Sequence, residues 1–109
     1  MLVTTQLVAP LNAAGVVGDS LTLTCRRNTR DVFWIFARFN NDVPVTIVTG
    51  CKVQPAVGDL FRVDTEDESC NLVIDRLTLA HAGTYICQDV VTTDRPSSAQ
   101  LIVLGRICD

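Results

Sequence analysis

The chain has 109 residues, of which 48% are apolar and 19% charged, and its formal net charge is −3. This length corresponds to a single domain, residues 1–109, with enough apolar side chains for a buried core. The mild negative charge, without an obvious basic face, argues against nucleic acid as a partner. No run of about 18 apolar residues occurs, so we expect no membrane span.

Short runs of alternating apolar and polar residues, broken by turn residues at intervals of about ten positions, predict an all-β sandwich or barrel. In chain order the predicted strands cover residues 4–9, 21–25, 32–40, 43–49, 51–54, 60–64, 70–77, 85–91 and 98–104. Turns or loops are predicted at residues 15–20, 26–31, 40–42 and 65–69. The pattern therefore predicts about nine strands and no helix.

The alternation also assigns the side chains that face inward. In the strand at residues 21–25, Leu21, Leu23 and Cys25 share one face, while the threonines between them face outward. The predicted core consists of Trp34, Tyr85, Leu23, Leu72, Ile74 and Phe61.

Cys25, Trp34, Tyr85 and Cys87 form a set whose order and spacing are typical of a β-sandwich. In such a sandwich a disulfide between the two cysteines ties two sheets together, and the indole packs on its sulfurs. The tyrosine lies two residues before the second cysteine, and its phenol fixes the turn that leads into the strand of that cysteine. The set defines a scaffold and indicates no catalytic chemistry.

Five cysteines in so short a chain indicate an oxidising compartment, and we expect an extracellular protein, secreted or part of a cell-surface ectodomain. A zinc site is the alternative, but no Cys-x-x-Cys pair occurs, and the single histidine, His81, is not spaced to join a cysteine cluster. The acidic run at residues 64–68 matches no calcium-loop spacing. The sequence therefore predicts no metal and no cofactor.

Five stretches together resemble the V-set (variable-type) domain of the immunoglobulin superfamily, and the resemblance covers essentially the whole chain. They are residues 16–25 (VVGDSLTLTC), Trp34, residues 60–63 (LFRV), residues 72–77 (LVIDRL) and residues 82–87 (AGTYIC). The resemblance implies a V-type sandwich of two antiparallel sheets, with about nine strands in Greek-key connection. The strand count and the extra segment at residues 43–54 favour the variable type over the constant type.

Three departures from the family pattern are informative. The family usually has aspartate at the position of His81 and arginine at the position of Leu60, and these form a salt bridge. Both partners are absent here. The two losses are consistent with each other, because losing only one partner would leave the other charge unpaired. Residues 97–103 (SSAQLIV) also lack the glycine motif of antigen receptors. The resemblance therefore implies a non-rearranging V-type domain of a cell-surface or secreted protein.

The resemblance pairs Cys25 with Cys87 and places Cys51 and Cys70 at the same end of the sandwich. Because a disulfide needs Cα atoms within about 7 Å, Cys51 with Cys70 is the expected second bridge, and two unpaired thiols are the alternative. Cys108 follows the last strand at the opposite end. We expect it to bridge to another chain or a neighbouring domain, or to lie at a trimmed end whose partner is missing.

Strand parity predicts an apolar outer face on the sheet that carries Trp34. Since Trp34 and Cys87 point inward, their alternate neighbours point outward. The predicted interface residues are Phe33, Ile35, Ala37, Phe39, Ile86, Gln88 and Val90. Contiguous exposed apolar patches commonly mark interfaces, and V-type domains pair through this face. The alternative is that the strand at residues 43–49 and long side chains cover the face within a monomer.

Two loops carry candidate binding residues. Arg27 and Arg30, next to Arg26, are placed to contact an anionic partner such as an acidic glycan. Asp94 and Arg95 lie in the third loop, where this fold usually places recognition. A solvated polar loop is the alternative in both cases.

The sequence thus predicts a binding module and not an enzyme, because His81 has no nucleophile and base pattern around it. The first hypothesis is the V-type ectodomain of an immune-type receptor that binds a protein or glycan ligand through its outer face, its loops or both. The second hypothesis is a homophilic adhesion module that pairs through the same face.

Overall fold

A computed structural model of the chain describes residues 8–27, 31–39, 43–89 and 96–105. Within these residues the fold is all-β. The strands are β1 (Ala13–Val16), β2 (Leu21–Leu23), β3 (Val32–Arg38), β4 (Val45–Thr49), β5 (Lys52–Val53), β6 (Arg62–Asp64), β7 (Asn71–Ile74), β8 (Gly83–Asp89) and β9 (Ser97–Leu104). Short 3₁₀ turns lie at Pro55–Val57, Glu66–Glu68 and Leu79–His81.

The strands form two sheets. One has six strands in the order β1-β9-β8-β3-β4-β5, and the other has three in the order β2-β7-β6. The centre of the larger sheet is the antiparallel pair β3 and β8, which stays in register from Val32 opposite Asp89 to Arg38 opposite Gly83. This long register fixes which side chains of the two strands share a face.

The expectation of two purely antiparallel sheets is wrong at β1, which runs parallel to β9. Before it, Val8 forms an isolated bridge with Arg26, close to the other sheet. Pro10 lies between the bridge and β1 and cannot donate a ladder hydrogen bond, so the chain leaves one partner there and continues beside β9. The larger sheet is therefore mixed.

The turn predicted over residues 15–20 begins too early, because Gly15 and Val16 belong to β1. A Cβ atom on Gly15 would lie 2.4 Å from Leu77 Cδ1, so a larger residue here would force the buried Leu77 side chain to move. The reversal comes at Gly18, whose φ of 96° suits glycine. Glycine therefore marks a close approach at one position and a turn at the other.

The core lies between the two sheets. Trp34, Tyr85, Leu72 and Ile74 are fully buried, and Leu23 and Phe61 are nearly so. Aromatic rings fill one end, where the Phe36 ring stacks on Tyr85 with centroids 4.6 Å apart. In the described part of the chain, no helix has the length and apolar character needed to cross a membrane.

Candidate functional site

Two disulfides connect the sheets. Cys25, which follows β2, is bonded to Cys87 in β8, with Cα atoms 6.6 Å apart. Cys51, between β4 and β5, is bonded to Cys70 just before β7, with Cα atoms 5.8 Å apart. The indole of Trp34 donates from Nε1 to the Cys70 carbonyl at 2.9 Å. Each bridge therefore joins one sheet to the other, and the buried tryptophan contacts the backbone of the second bridge.

The second disulfide begins in a tight hairpin turn. Thr49 pairs with Lys52, so only Gly50 and Cys51 form the turn, with φ values of 57° and 58°. Two consecutive positive φ angles are what a two-residue hairpin requires. Glycine adopts this conformation freely, whereas for a residue with a Cβ the left-handed backbone is unfavourable by about 1–2 kcal/mol. Cys51 is held there by its disulfide and by its amide, which donates to the Val32 carbonyl at 3.0 Å.

The predicted interface residues of β3 and β8 share the outer face of the larger sheet. Phe33 lies opposite Gln88, and Ile35 lies opposite Ile86. These side chains and Ala37 are half-buried, because neighbours on a continuous sheet surface shield one another. Their alternate neighbours on the same strands, such as Trp34 and Cys87, are fully buried on the inner face. Beyond the end of β3, Phe39 is 46% exposed.

The neighbouring strand β9 extends this surface with residues that the sequence prediction missed. Ala99, Leu101 and Val103 are buried, so the residues between them face outward. Ile102 is 51% exposed and Leu104 is 55% exposed. The clean alternation over residues 97–104 was the available signal. We call the outward positions of β3, β8 and β9 the outer face; they are Phe33, Ile35, Ala37, Thr84, Ile86, Gln88, Ser98, Gln100, Ile102 and Leu104.

No residue of the outer face, as the described residues define it, is charged. A typical soluble surface is roughly 25–35% charged, so it is unusual that the outward positions of three adjacent strands carry no charge. Depletion of charge together with apolar and aromatic side chains is the compositional signature of the centre of a protein interface.

The prediction of Arg27 as an exposed loop contact is wrong, because this side chain is directed into the sandwich and the residue is only 7% exposed. Its Nη2 donates to the Cys87 carbonyl at 3.1 Å and to Ser97 Oγ at 2.9 Å. Its Nε lies 4.0 Å from Asp89 Oδ2. The carboxylate attracts the guanidinium inward, since a buried charge requires an opposite charge close by.

Asp89 is a further residue that the sequence prediction missed. Its side chain is 1% exposed, at the loop end of β8. The signal was present, because Cys87 faces inward and the residue two positions later must face the same way. An inward acidic side chain needs a buried cation beside it. In this fold the arginines that follow Cys25 are close to the end of β8, where Asp89 lies.

The acidic turn at residues 64–68 lies beside β6. Asp64 Oδ1 accepts a hydrogen bond from the Glu66 amide at 3.0 Å, which closes a local turn. Arg26 lies with Asp64, Glu66 and Asp67 around a shallow cleft of about 210 Å³. Among the described residues, no group of three histidine, cysteine or acidic side chains is arranged to hold a metal ion.

His81 lies at the opposite end from the loops and connects three segments. Its Nδ1 accepts a hydrogen bond from the Thr78 amide at 2.9 Å, and its Nε2 lies 3.3 Å from the Leu60 carbonyl. The proton is therefore on Nε2. Tyr85 donates its hydroxyl to the His81 carbonyl at 2.6 Å. Burial lowers the pKa of His81 below its usual value and raises that of the Tyr85 phenol.

This end of the sandwich is closed without an ion pair between residues 60 and 81. A neutral imidazole is bonded instead to the Leu60 backbone, and the Phe61 ring packs edge-on against it at 5.3 Å. Five predicted site residues, Arg30, Val90, Asp94, Arg95 and Cys108, lie outside the described residues.

No protein-family model matches the sequence, and no curated protein matches it. The functional interpretation accordingly depends on the chain's own residues and their geometry.

Proposed function

We propose that this chain is a recognition module: a V-type immunoglobulin domain from the ectodomain of a cell-surface or secreted immune-type receptor. Its outer face, with the connections at the adjoining loop end, contacts a protein ligand. The observation that carries the proposal is the uncharged, partly apolar surface of three adjacent strands. Apolar area left in water is unfavourable by about 25 cal/mol per Å², so such a surface is best explained by a partner that covers it.

The V-type assignment is supported by local geometry as well as by sequence resemblance. The bridge between Cys25 and Cys87 crosses the core beside the buried Trp34. The Tyr85 hydroxyl bonds back to the His81 carbonyl, which is the corner expected for this type of sandwich. Two disulfides among the described cysteines favour an oxidising, extracellular location.

A protein ligand is favoured over an anionic glycan by the position of Arg27. An anionic partner would need exposed arginines in the first loop, and Arg27 is buried and bonded to the sandwich. The outer face offers a different chemistry, in which apolar side chains such as Ile35 and Ile86 alternate with small polar ones. That mixture suits a protein surface.

The test is a binding panel of extracellular protein domains and glycans, probed with wild-type chain, Ile35→Asp and Thr22→Asp. Ile35 is at the centre of the outer face, whereas Thr22 is exposed on a strand of the other sheet and serves as the matched control. We expect binding that Ile35→Asp abolishes and Thr22→Asp preserves. Binding that survives Ile35→Asp unchanged would contradict the proposal.

Homophilic adhesion is the second candidate, favoured by the same absence of charge. Two copies of a chain with a net charge of −3 repel each other least where neither surface carries charge. Sedimentation velocity over a range of concentrations separates the candidates. Dimers of the wild type that disappear in Ile35→Asp favour adhesion, and monomers at every concentration exclude self-association through this face.

A further inference from the structure

A single buried guanidinium links three segments of the chain at the loop end of the sandwich. Arg27 lies in the connection between β2 and β3. Its Nη2 is bonded to the carbonyl of Cys87 and to the hydroxyl of Ser97, and its Nε faces Asp89. Asp89 is the last residue of β8 and Ser97 is the first residue of β9. The guanidinium therefore contacts both ends of the β8–β9 connection from a different loop.

Neutralisation of Asp89 does not explain all of these contacts. A cation near the carboxylate would suffice for that purpose. Arg27 directs its Nη2 instead to a carbonyl and a hydroxyl, neither of which is charged, and these two hydrogen bonds connect β8 to β9. A planar guanidinium with donors in fixed directions can hold several partners in one relative orientation, which a lysine cannot do.

The surroundings make this arrangement rigid. Cys87 is fixed by its disulfide to Cys25, two residues before Arg27. Cys87 and Ser97 lie opposite each other in the β8–β9 ladder, and Asp89 lies opposite Val32 at the start of β3. These three contacts of the guanidinium are therefore attached to paired strands of the larger sheet, and a shift of one would require a shift of the others.

We infer that Arg27 is the positioning residue of the binding end: it fixes where the β8–β9 connection leaves and re-enters the sandwich and couples this geometry to the first loop. The inference rests on the proposed function, in which the connections at this end contact the ligand. Pre-organised loops lose less conformational entropy on binding. Arg27 thereby sets the affinity and specificity of a surface that its own side chain does not touch.

The test is amide hydrogen exchange, measured residue by residue by NMR, on the whole chain without a ligand. The informative variant is the double substitution Arg27→Met with Asp89→Leu. It replaces the ion pair with apolar side chains, a change that often preserves stability, yet methionine cannot donate to Cys87 or Ser97. We expect the amides of Asp89 and Ser97 to exchange at least about tenfold faster, and those of β7 to remain unchanged.

The neighbouring arginine provides the matched control. Arg26→Met removes the same charge one position earlier, but this side chain lies beside the acidic turn. It should leave exchange at Asp89 and Ser97 at the wild-type rate. Wild-type exchange at both residues in the double variant would overturn the inference, since Arg27 would then only neutralise Asp89.

If exchange in β7 also accelerates in the double variant, Ser97→Ala decides the question, because it removes one Arg27 hydrogen bond and leaves the ion pair intact. Faster exchange confined to the β8–β9 connection supports the inference, and no local change refutes it. Because no ligand is used, failure here leaves the proposed recognition function standing. If the binding panel contradicts the proposed function, the exchange result remains valid.

Discussion

His81 has three polar contacts, and one of them requires the neutral ring. The Thr78 amide donates to Nδ1, so protonating that atom breaks the bond and places two N–H groups face to face. The ring is also buried against Phe61, where a positive charge would be poorly solvated. Burial is the cause of the lowered pKa of His81, and it makes this residue sensitive to acid.

We predict that stability falls as the pH decreases from about 6.5, the usual histidine pKa, to the lowered value of the folded state. In this range the unfolded chain binds a proton that the folded chain excludes, so acid favours unfolding. The contribution is fully present above about 6.5. Urea denaturation at a series of pH values measures the effect.

His81→Gln is the matched control for this pH dependence. A glutamine three residues after Thr78 forms the usual capping box, so its carbonyl replaces Nδ1 and its amide replaces Nε2. The variant should fold and should lose the stability change between pH 7.5 and about 5. An unchanged pH dependence would show that another group is responsible.

At the scale of single elements, the turn between β4 and β5 combines an unfavourable backbone conformation with a covalent bond. Cys51 is used at a position where glycine or asparagine is preferred, and its side chain reaches Cys70 in the other sheet. The disulfide closes a sequence separation of 19 residues, which the chain-entropy model values at about 3 kcal/mol. That gain exceeds the cost of the left-handed conformation.

The stabilisation by the disulfide and the cost of the left-handed backbone at residue 51 can be separated with a pair of double variants. Cys51→Ala with Cys70→Ala removes the bridge but keeps a Cβ in the left-handed conformation. Cys51→Gly with Cys70→Ala removes the bridge and the strain together. We expect both to be less stable than wild type, and the glycine version to be more stable than the alanine version by about 1 kcal/mol. Denaturant melts test this, and equal stability of the two would contradict the backbone argument.

The elements also show where the sequence pattern is sufficient. In β7, alternation identifies Leu72 and Ile74, which are both fully buried. It is insufficient in β4, where Ile47 and Val48 are both buried because the register with β3 shifts between Trp34 and Ile35. A bulge inserts one residue and breaks the period of two, and nothing in the local sequence marks it.

The same distinction applies to the candidate site. Outward positions such as Ile35 and Ile86 follow from parity alone, because a strand has two faces and the cysteine fixes one of them. The inward direction of Arg27 does not follow from the sequence around it, since that residue lies in a loop with no periodicity. Its placement depends on Asp89, which is 62 residues away, and such a contact is defined only by the fold.

For the whole molecule, the two disulfides determine which surface is available for binding. Each crosses between the sheets, so the inner side of the larger sheet is committed to the core. On the opposite side, the outer face formed by β3, β8 and β9 lacks the charges that keep ordinary surfaces solvated. The smaller sheet differs, because an exposed Arg62 bonds Asp75 on its surface through both carboxylate oxygens. The asymmetry between the two sheets is the basis of the proposed function.

The central claim is that Cys87 points into the core and its neighbours Ile86 and Gln88 point out, and this depends on its bond to Cys25. A peptide map of the folded chain without reduction tests it directly. We expect one linked pair of peptides containing Cys25 and Cys87, and another containing Cys51 and Cys70. Cys87 found free, or linked to any cysteine other than Cys25, would contradict the assignment of the outer face.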